Sequence, residues 1–386
     1  MKKIVLLAGE ESGLLYAERL KRELPGCAFR MYQDFFKTSD LAVMGFWPVI
    51  KRIFFFLGVQ RKMKEIIRDW KPDAVVTIDY PGLNLKLAAY AKSLGIPAVH
   101  IVCPQVWAWH QNRIPKVAAA VNRLLCFFPF EPALFKDYAS DSFKAVFIGH
   151  PMVDVFAEEQ GQERKQPKGQ MSHAEAQRRG GEREEEGNKI VAVLPGSRVG
   201  EIRRILPRLV QAIRLLDDVA GLKVVIPAAN DRAQREIERI LSSFTFHPSP
   251  FTVQRGGARD LLRRADCAAV ASGTATLEAA LAHCPTVLVY AVSPLLAWFA
   301  RKVITGVKHI GLANVIAEKS GVEPPMPELL QEAFTPEAVA ARLRAWLGDE
   351  SARAQASQAL DAVMARLHSD GNALALAADE IEGLKG

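Results

Sequence analysis

The sequence predicts an α/β protein with two domains, each built on a parallel sheet. Its 386 residues are 49% hydrophobic and 24% charged, which suits a globular chain of about two domains. Apolar strand patterns alternate with helical patterns in both halves, as in parallel sheets joined by right-handed crossover helices. A polar stretch at residues 159–188 separates the halves. We therefore expect two Rossmann-like domains facing each other, with the cleft between them as the active site.

The first half, residues 1–158, contains five short apolar runs that we predict to be buried strands. Helical stretches follow them. The predicted strands are residues 4–8, 74–78, 98–102, 123–127 and 145–148, and the helices include residues 14–23, 83–94 and 132–138.

The second half, residues 189–345, repeats this scheme, and residues 346–386 are predicted to be C-terminal helices that can pack back on the N-terminal domain. The predicted strands are residues 190–194, 223–226, 251–254, 267–271 and 286–290, and the helices include residues 207–216, 231–241 and 274–282.

Residues 159–188 are predicted to be a disordered, low-complexity linker or insertion. Between Glu159 and Lys189 stand six Lys or Arg and six Asp or Glu, with almost no apolar residue. Such a stretch cannot bury enough apolar surface to offset the entropy lost on ordering. Because its charges balance, it does not account for the net charge of +7 of the chain.

Composition excludes several classes of protein. The five cysteines are scattered and form no Cys-x-x-Cys pair, so we expect a reducing compartment and no metal site. The basic residues are dispersed without an aromatic-basic motif, so nucleic acid is not expected as a partner. The first apolar run is too short for a signal peptide, and no run reaches the roughly 18 apolar residues of a membrane span. The net positive charge favours anionic partners such as phosphorylated lipids.

Residues 190–201 combine a buried strand with a polar turn. Gly196 and Ser197 end the strand where open α/β sheets place ligands, and Arg198 follows. Backbone N–H groups, the Ser197 hydroxyl and the Arg198 guanidinium can together hold a diphosphate, while Glu201 can orient the arginine. The alternative is an ordinary turn capped by Ser197 with an exposed arginine.

Residues 271–278 form a second turn of the same kind. Ser272 and Gly273 allow a tight turn after a strand, Thr274 can cap the next helix, and Glu278 lies in its first turns. Phosphates can approach such a helix start, and the glutamate can accept ribose hydroxyls. An ordinary capping box is the alternative.

Residues 41–64 are both apolar and basic. Trp47 and residues 54–56, three phenylalanines, stand close to Lys51, Arg52, Arg61 and Lys62. This composition suits a helix at a membrane interface or the lining of a lipid-acyl site. A packed core helix is the alternative.

These motifs, taken in order along the chain, resemble the lipid-A-disaccharide synthases, glycosyltransferases of lipid A biosynthesis and outer-membrane biogenesis. The resemblance covers nearly the whole chain. The matching stretches are residues 8–13, 78–81, 106–109 with Arg113, 128–131, 149–152, 194–201, 272–278, Asn314 and 327–331.

The resemblance implies a two-domain glycosyltransferase fold and an inverting reaction without metal or cofactor. In that reaction UDP-2,3-diacylglucosamine is the donor and 2,3-diacylglucosamine 1-phosphate the acceptor, whose 6-hydroxyl displaces UDP to give a β-1,6 disaccharide. The C-terminal domain would hold the donor and the N-terminal domain the acceptor. It further implies a cytoplasmic protein on the periphery of the anionic inner membrane, and leaves a homodimer open.

Such a displacement needs a base for the hydroxyl and positive groups for the departing diphosphate. Asp79, after a predicted strand, is the first candidate for the base and Glu10 the second, while Arg198 would stabilise the leaving group. The structural alternative for Asp79 is an Asx turn before Pro81, and that for Glu10 is a cap of the Ser12 turn.

Two sets of binding residues complete the prediction. The donor set is Gly196, Ser197, Arg198, Glu201, Ser272, Gly273, Thr274, Ala275, Glu278 and Asn314. The acceptor and lipid set is Ser12, Gly13, Met44, Trp47, Phe54, Trp107, Trp109 and His150, of which His150 can instead serve only its turn.

The chain departs from the family pattern at Leu14, Pro48 and His110, where an acidic residue, a glutamate and an arginine are usual. All three lie on the acceptor side. A related UDP-sugar enzyme with another acceptor, or a paralogue that binds UDP-sugar or lipid without turnover, therefore stays open as an alternative.

Overall fold

The computed structural model describes residues 1–9, 11–36, 53–165, 188–245, 250–293, 297–298, 302–303 and 305–384, without the side chains of residues 11, 12, 53 and 160–165. The chain divides into two compact units. The first is Met1–Asp154 with Leu367–Gly386, and the second is Val155–Arg366.

The first unit is built on a parallel sheet in the order β2-β1-β3-β4-β5-β6. Its central strands are almost entirely buried, as expected for a sheet covered by helices on both faces. β2 was not among the predicted strands, because it is an edge strand in which only Met31 is buried. The strands are β1 (Lys2–Ala8), β2 (Cys27–Met31), β3 (Ala74–Ile78), β4 (Ala98–Ile101), β5 (Arg123–Cys126) and β6 (Lys144–Phe147).

The second unit repeats this architecture with the order β12-β11-β10-β7-β8-β9. Its one strand absent from the prediction, β12, is a three-residue edge strand without a buried residue. The predicted class of two Rossmann-like α/β domains is thus confirmed. The strands are β7 (Lys189–Leu194), β8 (Leu222–Ala228), β9 (Phe251–Arg255), β10 (Cys267–Ala271), β11 (Thr286–Tyr290) and β12 (Glu328–Leu330).

Helices connect the strands and cover both sheets. Residues 132–138, predicted as a helix, form a 3-10 helix. The α-helices are α1 (Glu11–Glu23), α2 (Ile53–Trp70), α3 (Pro81–Ser93), α4 (Ile114–Ala120), α5 (Pro151–Lys165), α6 (Val199–Arg214), α7 (Asp231–Leu241), α8 (Ala258–Arg264), α9 (Thr274–Leu281), α10 (Leu312–Lys319), α11 (Pro336–Gly348), α12 (Glu350–Met364) and α13 (Ala373–Glu382).

Each sheet has one topological switch point, where the strand order reverses. In the first sheet it lies between β1 and β3, and in the second between β7 and β10. The loops that follow the two strands at a switch point leave in opposite directions and open a crevice at the carboxyl edge of the sheet. These two crevices are therefore the first places to look for ligand sites.

The C-terminal segment returns to the first unit only from Leu367. Leu374, Ala377 and Ile381 of α13 are buried in the core that covers β1. Arg123 and Glu380 form an ion pair at 2.9 Å. The predicted start of this segment at residue 346 is wrong, because α11 runs past it and α12 also belongs to the second unit.

The predicted linker also begins later than residue 159. α5 continues through Lys165, and the Glu159 carboxylate on it makes two ion pairs within the second unit, with Arg259 and Arg263. These ion pairs stabilise the end of α5 although its residues are almost all polar. The remainder of the predicted linker, residues 166–187, lies outside the described residues.

Helix α6 likewise starts earlier than predicted. The prediction placed its beginning at Pro207, a residue favoured in the first helical turn, but Pro207 lies inside the helix, which begins at Val199. Arg198 is consequently the N-cap residue and Glu201 lies in the first turn. This shift brings the two charged side chains to the end of the helix that faces the switch point.

Candidate active site

A cavity of about 320 Å³ opens at the switch point of the second sheet. The loops that follow β7, β8, β9 and β10 supply its walls. Every predicted donor-binding residue except Asn314 lines it. These residues are Gly196, Ser197, Arg198, Glu201, Ser272, Gly273, Thr274, Ala275 and Glu278, and Pro227, Ala228, Gly256 and Ala258 join them without having been predicted.

Gly196 permits the tight turn on one side of the cavity. Its φ is +106°, and a Cβ added there would approach Glu201 Oε2 to 2.7 Å. Any other L-residue would be strained by this backbone and would also displace the glutamate. Glu201 in turn accepts a hydrogen bond at 3.0 Å from Arg198 Nη1. Gly196, Glu201 and Arg198 therefore fix one another's positions. The Arg198 side chain is 57% exposed.

The amino termini of two helices face this cavity. The N-cap residues of α6 and α9, Arg198 and Gly273, make no side-chain cap hydrogen bond. The expected caps by Ser197 and Thr274 do not form, since Thr274 is already the first helical residue. Backbone N–H groups in the first turns carry partial positive charge. Two such ends beside Arg198 make a site for a dianionic group such as a diphosphate.

Glu278 lines the same cavity from α9. Its Oε1 accepts a hydrogen bond at 3.1 Å from Arg259 Nε of α8, so the capping-box alternative does not describe it. A carboxylate has room for about four hydrogen bonds. Glu278 can therefore accept from ligand hydroxyls while Arg259 holds it.

Asn314 lies apart from the cavity lining. It is fully buried, and its amide donates to the Met326 carbonyl at 2.7 Å and to Glu328 Oε1 at 2.8 Å, while its oxygen accepts from Met326 N–H at 2.9 Å. Glu328 also accepts from Gly311 N–H at 3.0 Å. Asn314 therefore ties α10 to β12, and the structure does not bring its amide to the donor residues.

In the first unit, Asp79 ends β3 at the switch point. Asp79 and Tyr80 have φ values of +51° and +52°, two consecutive left-handed residues. Buried Asn84 holds this turn, because its Nδ2 donates to the Ile78 carbonyl at 3.1 Å and to the Asp79 carbonyl at 2.7 Å. The Tyr32 hydroxyl donates to Asn84 Oδ1 at 2.8 Å. Sequence reasoning missed Asn84, since only the fold brings its backbone partners and the Tyr32 hydroxyl to it.

The Asp79 carboxyl is half-buried, and burial raises its pKa above the ordinary value. A hydrogen bond from Tyr80 N–H opposes this shift. An Asx turn needs the N–H of the second residue after the aspartate, which here is Pro81 and has none, so the bond from Tyr80 is not the Asx turn that the sequence offered as the alternative. A raised pKa moves a carboxylate towards the range in which general bases operate.

The other predicted residues at this switch point are only partly described. Glu10 and the Ser12 side chain lie outside the described residues. Gly13 is buried, and a Cβ added to it would lie 3.5 Å from Ala8 Cβ and 3.6 Å from Ile78 Cγ2. A Cβ on Gly9 would lie 3.3 Å from the Tyr80 ring, so the loop after β1 and the Asp79 turn are closely packed.

The aromatic motifs after β4 and β5 form a packed cluster. Trp107 is buried, and its Nε1 donates to Glu131 Oε1 at 3.0 Å. His150 is buried beside Phe127 and Phe128 and accepts from Met152 N–H. Trp107 and His150 therefore stabilise the loops in which they lie. Trp109 is 38% exposed, and its ring centroid lies 4.9 Å from that of His110.

Glu131 lies next to two thiols in this cluster. Its ligating atoms and those of Cys103 and Cys126 all lie within 4.8 Å of one another. Burial raises the pKa of Glu131 to about 8 and also raises that of Cys126. Both oxygens of the Glu131 carboxyl already accept hydrogen bonds, Oε1 from Trp107 Nε1 and Oε2 from Phe128 N–H. We assign the cluster a structural role.

Helix α2 carries the described part of the apolar and basic segment. Phe54 is 83% and Leu57 is 55% exposed, with Arg61 and Lys62 following on the same face. Phe55 and Phe56 instead pack against the core, which corrects their predicted placement in a lipid boundary. Met44 and Trp47 lie outside the described residues. No helix among the described residues is long and apolar enough to cross a membrane.

The fold places the chain in the class of proteins with two Rossmann-like domains. A structure of Staphylococcus aureus MnaA with UDP aligns over 99% of this chain and 96% of its own, with a TM-score of 0.63 and 14% identity. Acinetobacter baumannii MurG aligns over the full length of both chains, with a TM-score of 0.57 and 15% identity. At these identities the likeness concerns the fold.

Sequence comparison resolves the family within this class. The model of the lipid-A-disaccharide synthetase family matches residues 4–378. A lipid-A-disaccharide synthase of Saccharophagus degradans is 32% identical over 389 aligned residues, which cover 96% of this chain and 94% of that protein. The chain belongs to the lipid-A-disaccharide synthetase family.

Proposed function

We propose that this protein is an inverting glycosyltransferase that forms the lipid A disaccharide. The donor is UDP-2,3-diacylglucosamine, the acceptor is 2,3-diacylglucosamine 1-phosphate, and the products are the β-1,6 disaccharide and UDP. One observation carries the proposal within this family: Arg198, two helix amino termini and Glu278 surround a single cavity at a switch point. That set matches the diphosphate and ribose of a UDP-sugar.

The donor cavity supplies the leaving-group chemistry. As the bond between C1 of the donor sugar and the UDP oxygen breaks, negative charge grows on the diphosphate. Arg198, held by Glu201, and the first turns of α6 and α9 stabilise that charge. Because these groups are positioned before the reaction, they need little reorganisation as charge develops. Glu278 orients the nucleoside through its ribose hydroxyls.

Asp79 supplies the base. Its carboxylate takes the proton of the acceptor 6-hydroxyl as the oxygen attacks C1 from the face opposite UDP, which inverts the configuration at C1. The raised pKa of Asp79 supports this role, and the turn that Asn84 holds keeps the carboxyl at the switch point. Glu10 is the second candidate for the base.

The exposed face of α2 provides a contact for the lipid substrates and the membrane surface. Phe54 and Leu57 can enter the acyl boundary, while Arg61 and Lys62 meet anionic headgroups. Its mixture of apolar and basic side chains supports a peripheral association with the inner membrane from the cytoplasmic side.

The test is a reconstitution with both lipid substrates, followed by mass spectrometry of the products. We expect a disaccharide and one UDP for each disaccharide formed. UDP release without acceptor would instead indicate a related enzyme acting on the UDP-sugar alone. Donor binding without any UDP release would indicate a non-catalytic paralogue. Either result would overturn the proposal.

A further inference from the structure

Arg259 joins the donor cavity to helix α5. From α8, its Nε donates to Glu278 Oε1 at 3.1 Å and its Nη1 donates to Glu159 Oε1 at 2.7 Å. Glu159 also accepts from Arg263 Nη2 at 2.6 Å. Two arginines and two glutamates from three helices thus form one connected set, and Asp260 Oδ1 also lies 3.4 Å from Arg263 Nη1.

This set is more sheltered than an ordinary surface ion pair. The Arg263 side chain is only 14% exposed, against 57% for Arg198. Both guanidinium groups lie over the Phe156 ring, at 6.0 Å for Arg259 and 4.9 Å for Arg263. Burial lowers the pKa of Arg259, but its bond to Glu278 and the charges of Glu278 and Glu159 outweigh that effect and raise it. Partial burial and the aromatic face restrict the movement of the guanidinium.

We propose that Arg259 is a positioning residue for donor recognition, which fixes the Glu278 carboxylate to accept a ribose hydroxyl of the UDP-sugar. The inference rests on the proposed function, because it takes the cavity as the donor site. A glutamate side chain in a wide cavity has several rotamers, and the Arg259 bond selects one of them.

Arg259 also acts through charge. A bare carboxylate in a cavity for a diphosphate would repel the ligand, and a guanidinium at hydrogen-bond distance offsets that charge. Glu159 accepts hydrogen bonds from both Arg259 and Arg263, and Asp260 is a further counter-charge for Arg263. The end of α5 is therefore part of the donor site although it does not line the cavity.

The test compares two ligands that differ at the ribose. UDP and 2′-deoxy-UDP or 3′-deoxy-UDP are titrated into the full-length protein by calorimetry, for wild type, Arg259→Gln and Glu278→Gln. For wild type we expect a preference for UDP over one deoxy ligand on the order of tenfold, the worth of a hydrogen bond to a charged group. Arg259→Gln should reduce this preference to about twofold or less, and Glu278→Gln should do the same.

The double variant should be no less selective than either single variant, since both remove one interaction. Arg264→Gln on the same helix is the control, because Arg264 Nε donates to the Asp260 carbonyl rather than to Glu278. It should keep the full preference. If Arg259→Gln does not fold, Arg259→Lys decides, because a single ammonium cannot hold two carboxylates in the geometry of the guanidinium fork. It should lower the preference at least about threefold.

The outcomes separate the inference from the function on which it rests. Equal weakening of UDP and both deoxy ligands by Arg259→Gln would show a general structural role and overturn the inference. An unchanged preference, or a wild type that binds UDP without any ribose preference, would also overturn it while leaving UDP binding in place. A wild type that does not bind UDP would contradict the proposed function itself.

Discussion

We propose that the leaving-group chemistry depends on Arg198. It lines the cavity and is held by Glu201 at the start of α6. We expect Arg198→Ala to lower turnover on the order of 100-fold or more, because it removes a principal charge partner of the departing diphosphate. The rate of UDP release from the two lipid substrates measures this effect.

Arg204→Ala is the matched control for Arg198, since Arg204 is an exposed arginine of the same helix that does not line the cavity. It should keep nearly full turnover. Near-normal UDP release by Arg198→Ala would remove Arg198 from the mechanism.

For Asp79 the informative change is Asp79→Asn. Asparagine tolerates the left-handed backbone of this position, so the variant removes basicity without new strain. We expect turnover to fall by about 100-fold or more. In wild type, kcat/KM should fall as the pH decreases through a pKa above the ordinary aspartate value, because burial raises that pKa. This acidic limb should be missing from any residual activity of the variant.

The stability of the Asp79→Asn variant is the control for its effect on activity. A carboxyl whose pKa is raised on folding binds its proton more tightly in the folded state, so its ionised form costs stability above that pKa. Asp79→Asn removes this cost, and the melting temperature should not fall appreciably at neutral pH. A large loss of stability with full activity per folded molecule would show that Asp79 serves only the turn after β3 and is not the base.

At the scale of single elements, the faces of α2 differ in how far they are exposed. Phe54 and Leu57 are exposed, whereas Phe55 and Phe56 pack against the core. We expect the double variant Phe54→Ser, Leu57→Ser to reduce sedimentation with anionic liposomes and to raise the KM for lipid substrates. Each buried methylene contributes about 0.8 kcal/mol to such binding. UDP affinity should stay unchanged.

The variant Phe55→Ser is the contrast for α2. It should lower the melting temperature, because the partly buried Phe55 ring packs edge-on against Phe36 and Phe56 and serine would remove these contacts. Unaltered liposome binding by the Phe54, Leu57 variant would show that this face does not contact lipid.

At the scale of the whole chain, residues 166–187 and the end of α5 should respond differently to change. We expect replacement of residues 166–187 by a short glycine-serine bridge to preserve melting temperature and turnover, because their composition cannot support a core. A deletion that begins at residue 159 should instead lower both, since it removes the Glu159 ion pairs. Loss of soluble protein from the first deletion would show that the segment is structural.

The amino-acid pattern predicted most of both sheets and nine of the residues that line the cavity. Buried strands of parallel sheets are continuous apolar runs that end in polar turns, so the central strands and the turns at Gly196 and Gly273 follow from local sequence. The edge strands β2 and β12 were missed, because an edge strand is only partly buried and lacks such a run.

The sequence by itself determined the family, the two α/β domains and the two turns that line the cavity, since each depends on residues close together in the chain. The tertiary structure decided the partners of single charged and polar groups. It bonds Asn314 to Met326 and Glu328, sets Asn84 behind Asp79, and pairs Glu159 with Arg259. Glu159 and Arg259 are 100 residues apart in the chain. Hydrogen bonds and ion pairs act over a few ångströms of space irrespective of this separation, so no local pattern in the sequence encodes them.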